Sequence, residues 1–197
     1  MPLAYPRFMQ TAAAVPKYKK RWSDRELLAL PQDGYKYETL DGTLLMSPGT
    51  ANHGWVSSRI LSLLLVHVDA QGLGQVFDSS TGFRLAPDTL LSPDVSFVSN
   101  SRLAEILVAP DKFLQGAPDL AVEVLSPSDR PKNLQAKLQK YLQHGTRLIW
   151  TVDCKKLEVT VHTAVAKHQI IGLNAMLTGD DVLPKFKCRL SHIFGRV

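Results

Sequence analysis

Glu123 and Asp94 are the two residues whose surroundings most call for chemistry. Glu123 lies in PDLAVEVL (Pro118 to Leu125) and Asp94 in LSPDVSFV (Leu91 to Val98), both strand-like and largely apolar. An ionised carboxylate in such surroundings is costly unless a cation or hydrogen-bond donors meet it. A divalent metal ion is one such cation, and hard oxygen ligands suit Mg²⁺, with Mn²⁺ as a substitute. Two carboxylates on two strands with a lysine nearby fit phosphodiester hydrolysis. That reaction needs a water made nucleophilic near neutral pH and stabilised charge on the phosphate. Asp94 and Glu123 are therefore the expected metal ligands, Lys137 the expected lysine, and Glu38 a further ligand or supporting carboxylate. His53 and Tyr141 are expected to touch substrate or support the site. Simpler roles compete: a turn cap for Asp94, a lysine salt bridge for Glu123, a hairpin surface position for Glu38, a helix start for His53 and packing for Tyr141. The remaining histidines show no ligand spacing and read as structural.

The elements that must position these residues follow from periodicity. In PDLAVEVL, Leu120, Val122 and Val124 share one face, while Asp119, Ala121, Glu123 and Leu125 share the other. Asp119 and Glu123 are four residues apart, about 13 Å at strand rise, so they cannot hold one ion together. Val95 and Phe97 point opposite to Asp94 and Ser96. A helix is expected over Asn133 to His144, with Leu134, Leu138 and Leu142 on one side and Lys137 and Tyr141 one turn apart on another. Asn52 to Asp69 reads as the longest helix, with Trp55, Val56, Ile60, Leu63, Leu64 and Val68 at helical spacing. Asp41-Gly42 between Tyr35–Leu40 and Thr43–Ser47 signals a two-residue hairpin. Ser23 with Glu26 three residues on is a capping box for a short helix ended by Pro31. The loop from Ala109 to Pro118 is expected to flank a substrate groove. Lys167 to Val182 reads as a last strand pair and loop, and Leu190 to Phe194 as a closing turn.

A chain of 197 residues fits one domain with a short arm. Residues 1–22 carry three prolines and the cluster KYKKR and are expected to form a mobile basic arm, leaving 23–197 as the domain. The formal charge of +5 favours polyanionic partners only modestly. Cys154 and Cys188 form no metal-spaced cluster, and two reduced thiols are expected. No apolar run approaches the roughly 20 residues of a membrane span, and no secretory signal is visible, so a cytoplasmic protein is expected. A Gly-rich phosphate loop is absent, which argues against a nucleotidase of that type. The element order gives an α+β class with a mixed central sheet flanked by helices.

The strings PDVSFV, PDLAVEVLSPSD and KLQKYLQHGTRLIWTVD, together with YKYETLDGTLLMSPG and the His53 that follows, resemble the Uma-two family of restriction-endonuclease-like proteins in the PD-(D/E)xK nuclease superfamily. The likeness runs from about Trp22 to Phe194. It implies a restriction-endonuclease-like mixed β-sheet core, Mg²⁺ held by Asp94 and Glu123, and a DNA substrate. The superfamily pattern places a lysine two residues after the second acid. Leu125 stands there, and the resemblance implies that Lys137, in the string K-x-x-x-Y with Tyr141, replaces it. Glu38 matches the glutamate of the first hairpin. The run around Thr146, Leu148 and Ile149 also departs from the family pattern. The expected function is a Mg²⁺-dependent DNA endonuclease, as a homodimer because cutting two strands favours two sites. The rivals are a catalytically silent nucleic-acid- or protein-binding module on the same fold, and a hydrolase of small phosphate esters.

Overall fold

A computed structural model of the protein describes residues 15–31, 33–127, 129–164 and 168–195. Residues 1–14 of the expected arm lie outside the described residues. From Lys17 onward the chain is held. The Leu44 amide donates to the Lys17 carbonyl at 2.8 Å, the Lys19 amide to the Gly42 carbonyl at 2.9 Å, and Trp22 is buried.

The capping box at Ser23 and Glu26 opens a short helix, α1 (Asp24–Leu28). Strands β1 (Tyr35–Leu40) and β2 (Thr43–Pro48) pair antiparallel around Asp41 and Gly42, whose φ angles of 48° and 76° suit the tight hairpin turn. Thr50 then accepts the His53 amide and starts α2 (Ala51–Gln71), which Gly72 ends in the left-handed conformation at φ 61°. Four residues at helical spacing, Val56, Ile60, Leu64 and Val68, form its buried stripe. Trp55 does not belong to that stripe as expected. It is 55% exposed, with the Arg59 guanidinium over its ring at 5.8 Å.

Strands β3 (Gly74–Asp78), β4 (Phe83–Ala86), β5 (Thr89–Leu91) and β6 (Val95–Ser99) follow. The single strand expected over Leu91 to Val98 is thus two, in two different sheets. Pro93 has no amide to give a ladder, and the chain changes sheets there. Asp94 therefore sits just before β6 rather than inside a strand. Helix α3 (Asn100–Ile106) leads to the loop expected to flank a groove. That loop runs instead along β4, where the Arg84 amide donates to the Leu114 carbonyl at 2.7 Å and the Gly116 amide to the Arg84 carbonyl at 3.0 Å.

Then come β7 (Leu120–Val124), α4 (Pro131–Gln143), β8 (Leu148–Asp153) and β9 (Glu158–Thr163). Pro131 opens α4 where its missing amide costs nothing. The C-terminal part holds β10 (Gln169–Gly172), β11 (Met176–Gly179), β12 (Leu183–Arg189) and α5 (Leu190–Phe194). β10 pairs with β9, while β11 pairs with β12, so the expected last strand pair is divided between two partners. Buried Leu183, Phe186 and Cys188 interrupt the basic residues of β12 and fix it on the core.

Among the described residues the sheets run β2-β1-β5-β4, β10-β9-β8-β7-β6-β3 and β11-β12. In the six-stranded sheet β7 and β8 are parallel and the other neighbours antiparallel, which is the expected mixed α+β core. One face, with Val95, Phe97, Leu120, Val122 and Trp150, packs on α2 and the C-terminal hairpin. The other, with Ala121 and Ile149, packs on Tyr141 of α4 and on Phe83 and Leu91 of the four-stranded sheet. Both cysteines are free thiols. No helix among the described residues is long and apolar enough to cross a membrane.

Each large apolar side chain fully buried here contributes about 1.5–3 kcal/mol. Leu64→Ala, at the fully buried centre of the α2 stripe, should lower stability by about 2–5 kcal/mol in urea titrations.

Candidate active site

The site grows out of β7. Its centre, Glu123, is on the face of the six-stranded sheet that looks toward α4, and it is 6% exposed. On one side β7 pairs with β6 in the register Val95↔Val122, which carried one step further puts Asp94 opposite Glu123. The Asp94 amide donates to the Val122 carbonyl at 2.9 Å, and the Val124 amide to Asp94 Oδ2 at 2.8 Å. The two carboxylates thus stand side by side, Glu123 inside β7 and Asp94 just before β6.

Helix α4 crosses this face and supplies two donors to one carboxyl group. Tyr141 Oη donates to Glu123 Oε1 at 2.9 Å, and Lys137 Nζ lies 3.4 Å from Glu123 Oε2. Their four-residue spacing makes this possible, since it sets them one above the other on the helix. Lys137 Nζ also donates to Glu38 Oε2 at 2.6 Å, and Glu38 Oε1 accepts the Ser92 amide at 2.8 Å. Lys137 therefore ties β1 of one sheet to β7 of the other.

Asp94 has its own cations. Lys36 Nζ donates to Asp94 Oδ1 at 2.7 Å and to the Ser92 carbonyl at 2.9 Å, and His53 Nε2 lies 3.0 Å from Asp94 Oδ2. Glu38, His53, Asp94, Glu123, Lys137 and Tyr141 are thus one connected network. Lys36 is the member that the sequence reading missed. Its signal was there, because Lys36 and Glu38 are two apart on a strand and must share a face. Asp119, read as a strand-start residue, is buried away from this network and accepts the Ser99 amide at 2.8 Å and Arg147 Nε at 3.2 Å.

The electrostatics follow from burial and charge count. Burial alone would push the Asp94 carboxyl up, but Lys36 and His53 outweigh it and hold it well below the usual carboxylate range. Burial acts on Glu38 in the same sense and is outweighed by Lys137 and Lys36. Glu123 differs. Burial, reinforced by Glu38 and Asp94, outweighs Lys137 and Lys36 and pushes it up to about 7. Burial would lower both lysines, yet the carboxylates keep Lys137 and Lys36 above their ordinary value. The hydrogen bond to Asp94 raises the His53 imidazole. Burial, with Glu123 next, raises the Tyr141 phenol well above its usual range, so it stays a donor.

The network opens on a cleft of about 480 Å³ between β2 and the start of α4, with Glu38, Glu123 and Lys137 in its wall. Asp94 lies behind that wall. Leu125, at the position of the superfamily lysine, also lines the cleft. The Lys137 ammonium reaches the Glu123 carboxylate from α4.

The Uma2 family, described as "Putative restriction endonuclease", matches residues 24–191. The chain belongs to this family. The crystal structure of a "putative nuclease belonging to DUF820" from Anabaena variabilis superposes with a TM-score of 0.73 at 21% identity, covering 86% of this chain and 96% of that one. At that identity the likeness shows a shared fold. Among curated proteins nothing matches the chain. The Uma2 match takes in all three sheets and α4, so the whole network lies inside the family region.

The raised Glu123 carboxyl has a measurable consequence for stability. Its folded value of about 7 exceeds the ordinary 4.5, so the folded state holds this proton more tightly than the unfolded chain. The resulting stability is fully present below about pH 4.5 and is lost as pH rises through 7. Glu123→Gln removes the titration. Relative to this variant, the wild type should lose up to about 3 kcal/mol between pH 5 and 8 in parallel urea titrations. Equal slopes against pH in the two proteins would contradict the buried-charge account.

Proposed function

We propose that this member of the Uma2 family is a metal-dependent phosphodiester hydrolase acting on DNA, with Asp94 and Glu123 as the metal ligands. The observation that carries the reading is the placement of two buried carboxylates side by side, with a lysine from α4 against one of them. The donor set fits a hard divalent cation. Both ligands are carboxylates, and burial, reinforced by Glu38 and Asp94, pushes Glu123 up to about 7. Among the described residues no group of three or more His, Cys, Asp or Glu converges on one point. Mg²⁺ is commonly bound by one or two carboxylates, with water and phosphate oxygens completing its shell. Bound here, such a cation would supply Lewis-acid activation of water and neutralise phosphate charge.

The chain's own residues do the rest. Glu38 anchors Lys137, whose ammonium stands beside Glu123 where it can position water or meet a phosphate oxygen. Tyr141 fixes the Glu123 carboxyl through Oε1 and leaves Oε2 toward Lys137. His53 and Lys36 hold Asp94 from both sides and keep it ionised. Cleavage of both strands of a duplex would use two copies of the chain, which is part of the same proposal.

Purified protein should nick plasmid DNA with Mg²⁺ or Mn²⁺ and not with EDTA. Glu123→Ala, Asp94→Ala and Lys137→Met should each reduce the rate by at least about 100-fold, the scale of losing one preorganised charge. Calorimetric titration with Mn²⁺ should show binding in the wild type that Glu123→Ala loses. Nicking retained by Glu123→Ala would refute the site. DNA binding without cleavage under any metal would favour a silent binding module.

A further inference from the structure

The cleft beside the catalytic network has walls that the phosphodiester reaction does not use. Leu44, Leu45 and Met46 of β2 line it together with Leu125 and Leu134. Leu134 begins the leucine stripe of α4, and all three of its leucines are half-buried. Leu138 and Leu142 pack on the core below the sheet, whereas Leu134 lines the cleft. Met46 is 52% exposed. A rift of about 480 Å³ with an apolar side is thus open beside Glu123. Its size is in the ordinary range of small-ligand pockets, roughly 300–1,000 Å³.

The polar groups of the rift are placed differently. Lys17 and Arg130 stand at its rim, both exposed and without an ion-pair partner among the described residues. Asp129, also at the rim, turns one carboxylate oxygen to the Ser126 amide at 2.7 Å. Asn133 and Ser47 add neutral donors and acceptors along the wall. Free cations outside, a catalytic lysine at the inner end and leucines between form an amphipathic pattern. A paired duplex offers a protein its phosphates and groove edges, while its base faces are hidden by stacking. An unpaired nucleotide offers an apolar base face together with a flanking phosphate.

We infer that this rift is a nucleobase pocket, so that the substrate is an unpaired nucleotide in single-stranded or locally opened DNA. The inference deepens the nuclease reading and rests on it for the identity of the ligand. The base lies between Leu134 and the Leu45–Met46 edge. The adjoining phosphate faces Lys137 and Glu123, and Lys17 and Arg130 meet the flanking phosphates. Leu125 belongs to this pocket. A lysine at that position would put a charge into the apolar wall, and α4 supplies the catalytic ammonium instead.

The test separates binding from cleavage. Fluorescence anisotropy in EDTA at fixed salt would compare a labelled single-stranded oligonucleotide with its duplex, for wild type, Leu134→Gln and Met46→Gln. Both substitutions preserve charge and lie outside the buried core, and thermal melting checks the fold. The single strand should bind at least about fivefold more tightly than the duplex, and each variant should lose at least about fivefold for the single strand only. Equal affinity for both forms, or variants that bind the single strand as the wild type does, would overturn the pocket. Plasmid nicking by the same samples reports on the hydrolase independently. Nicking with no single-strand preference sinks the pocket alone. Selective single-strand binding lost in the variants, without cleavage by any sample, sustains the pocket and sinks the hydrolase.

Discussion

The structure depends on one buried ion pair, Lys137 with Glu38 and Glu123. It joins α4 to a strand in each of two sheets through 2.6 Å and 3.4 Å contacts. Burying such charges is expensive, and their mutual attraction balances that expense only when the geometry is good and further donors satisfy the remaining lone pairs. The further donors are present as the Ser92 amide on Glu38 and Tyr141 on Glu123. A second cluster repeats the arrangement around Asp94 with Lys36, His53 and the Val124 amide. Glu123 is the member that burial pushes up, to about 7, while Asp94 and Glu38 are held below their ordinary values.

The remainder of the fold keeps these charges fixed and dry. The six-stranded sheet gives its α2 face wholly to packing, with Trp150, Val122 and Leu64 fully buried. Its other face packs near α4 and carries Glu123 toward the C-terminal end of β7. The β1–β2 hairpin brings Lys36 and Glu38 to that end, and the capped start of α2 brings His53. Four separate elements therefore meet at one end of one strand, and each is positioned by apolar contacts elsewhere.

The cleft adds a second constraint. Its lining sets Leu44, Leu45, Met46, Leu125 and Leu134 beside the charged Glu38, Glu123 and Lys137. The amphipathic lining is reconciled if the ligand has an apolar face and a charged edge.

Much of this was legible in the sequence. Period-2 alternation placed Leu120, Val122 and Val124 opposite Glu123, and the K-x-x-x-Y spacing placed Lys137 and Tyr141 on one helix face. Asp41-Gly42 fixed the hairpin, and Ser23 with Glu26 fixed the first cap. These are local rules, set by backbone geometry over a few residues. What depended on distant pairing was not legible. Pro93 could be seen, but not that β5 and β6 on its two sides join different sheets. Trp55 has core-like spacing, yet it is 55% exposed. Lys36 shares the face of Glu38, but only the approach of Asp94 from 58 residues away gives it a partner. Sequence determined which residues could face together along one strand or helix. The tertiary structure alone decided which of them would be buried together, because burial and charge compensation belong to the pairing of elements and not to any single stretch of chain.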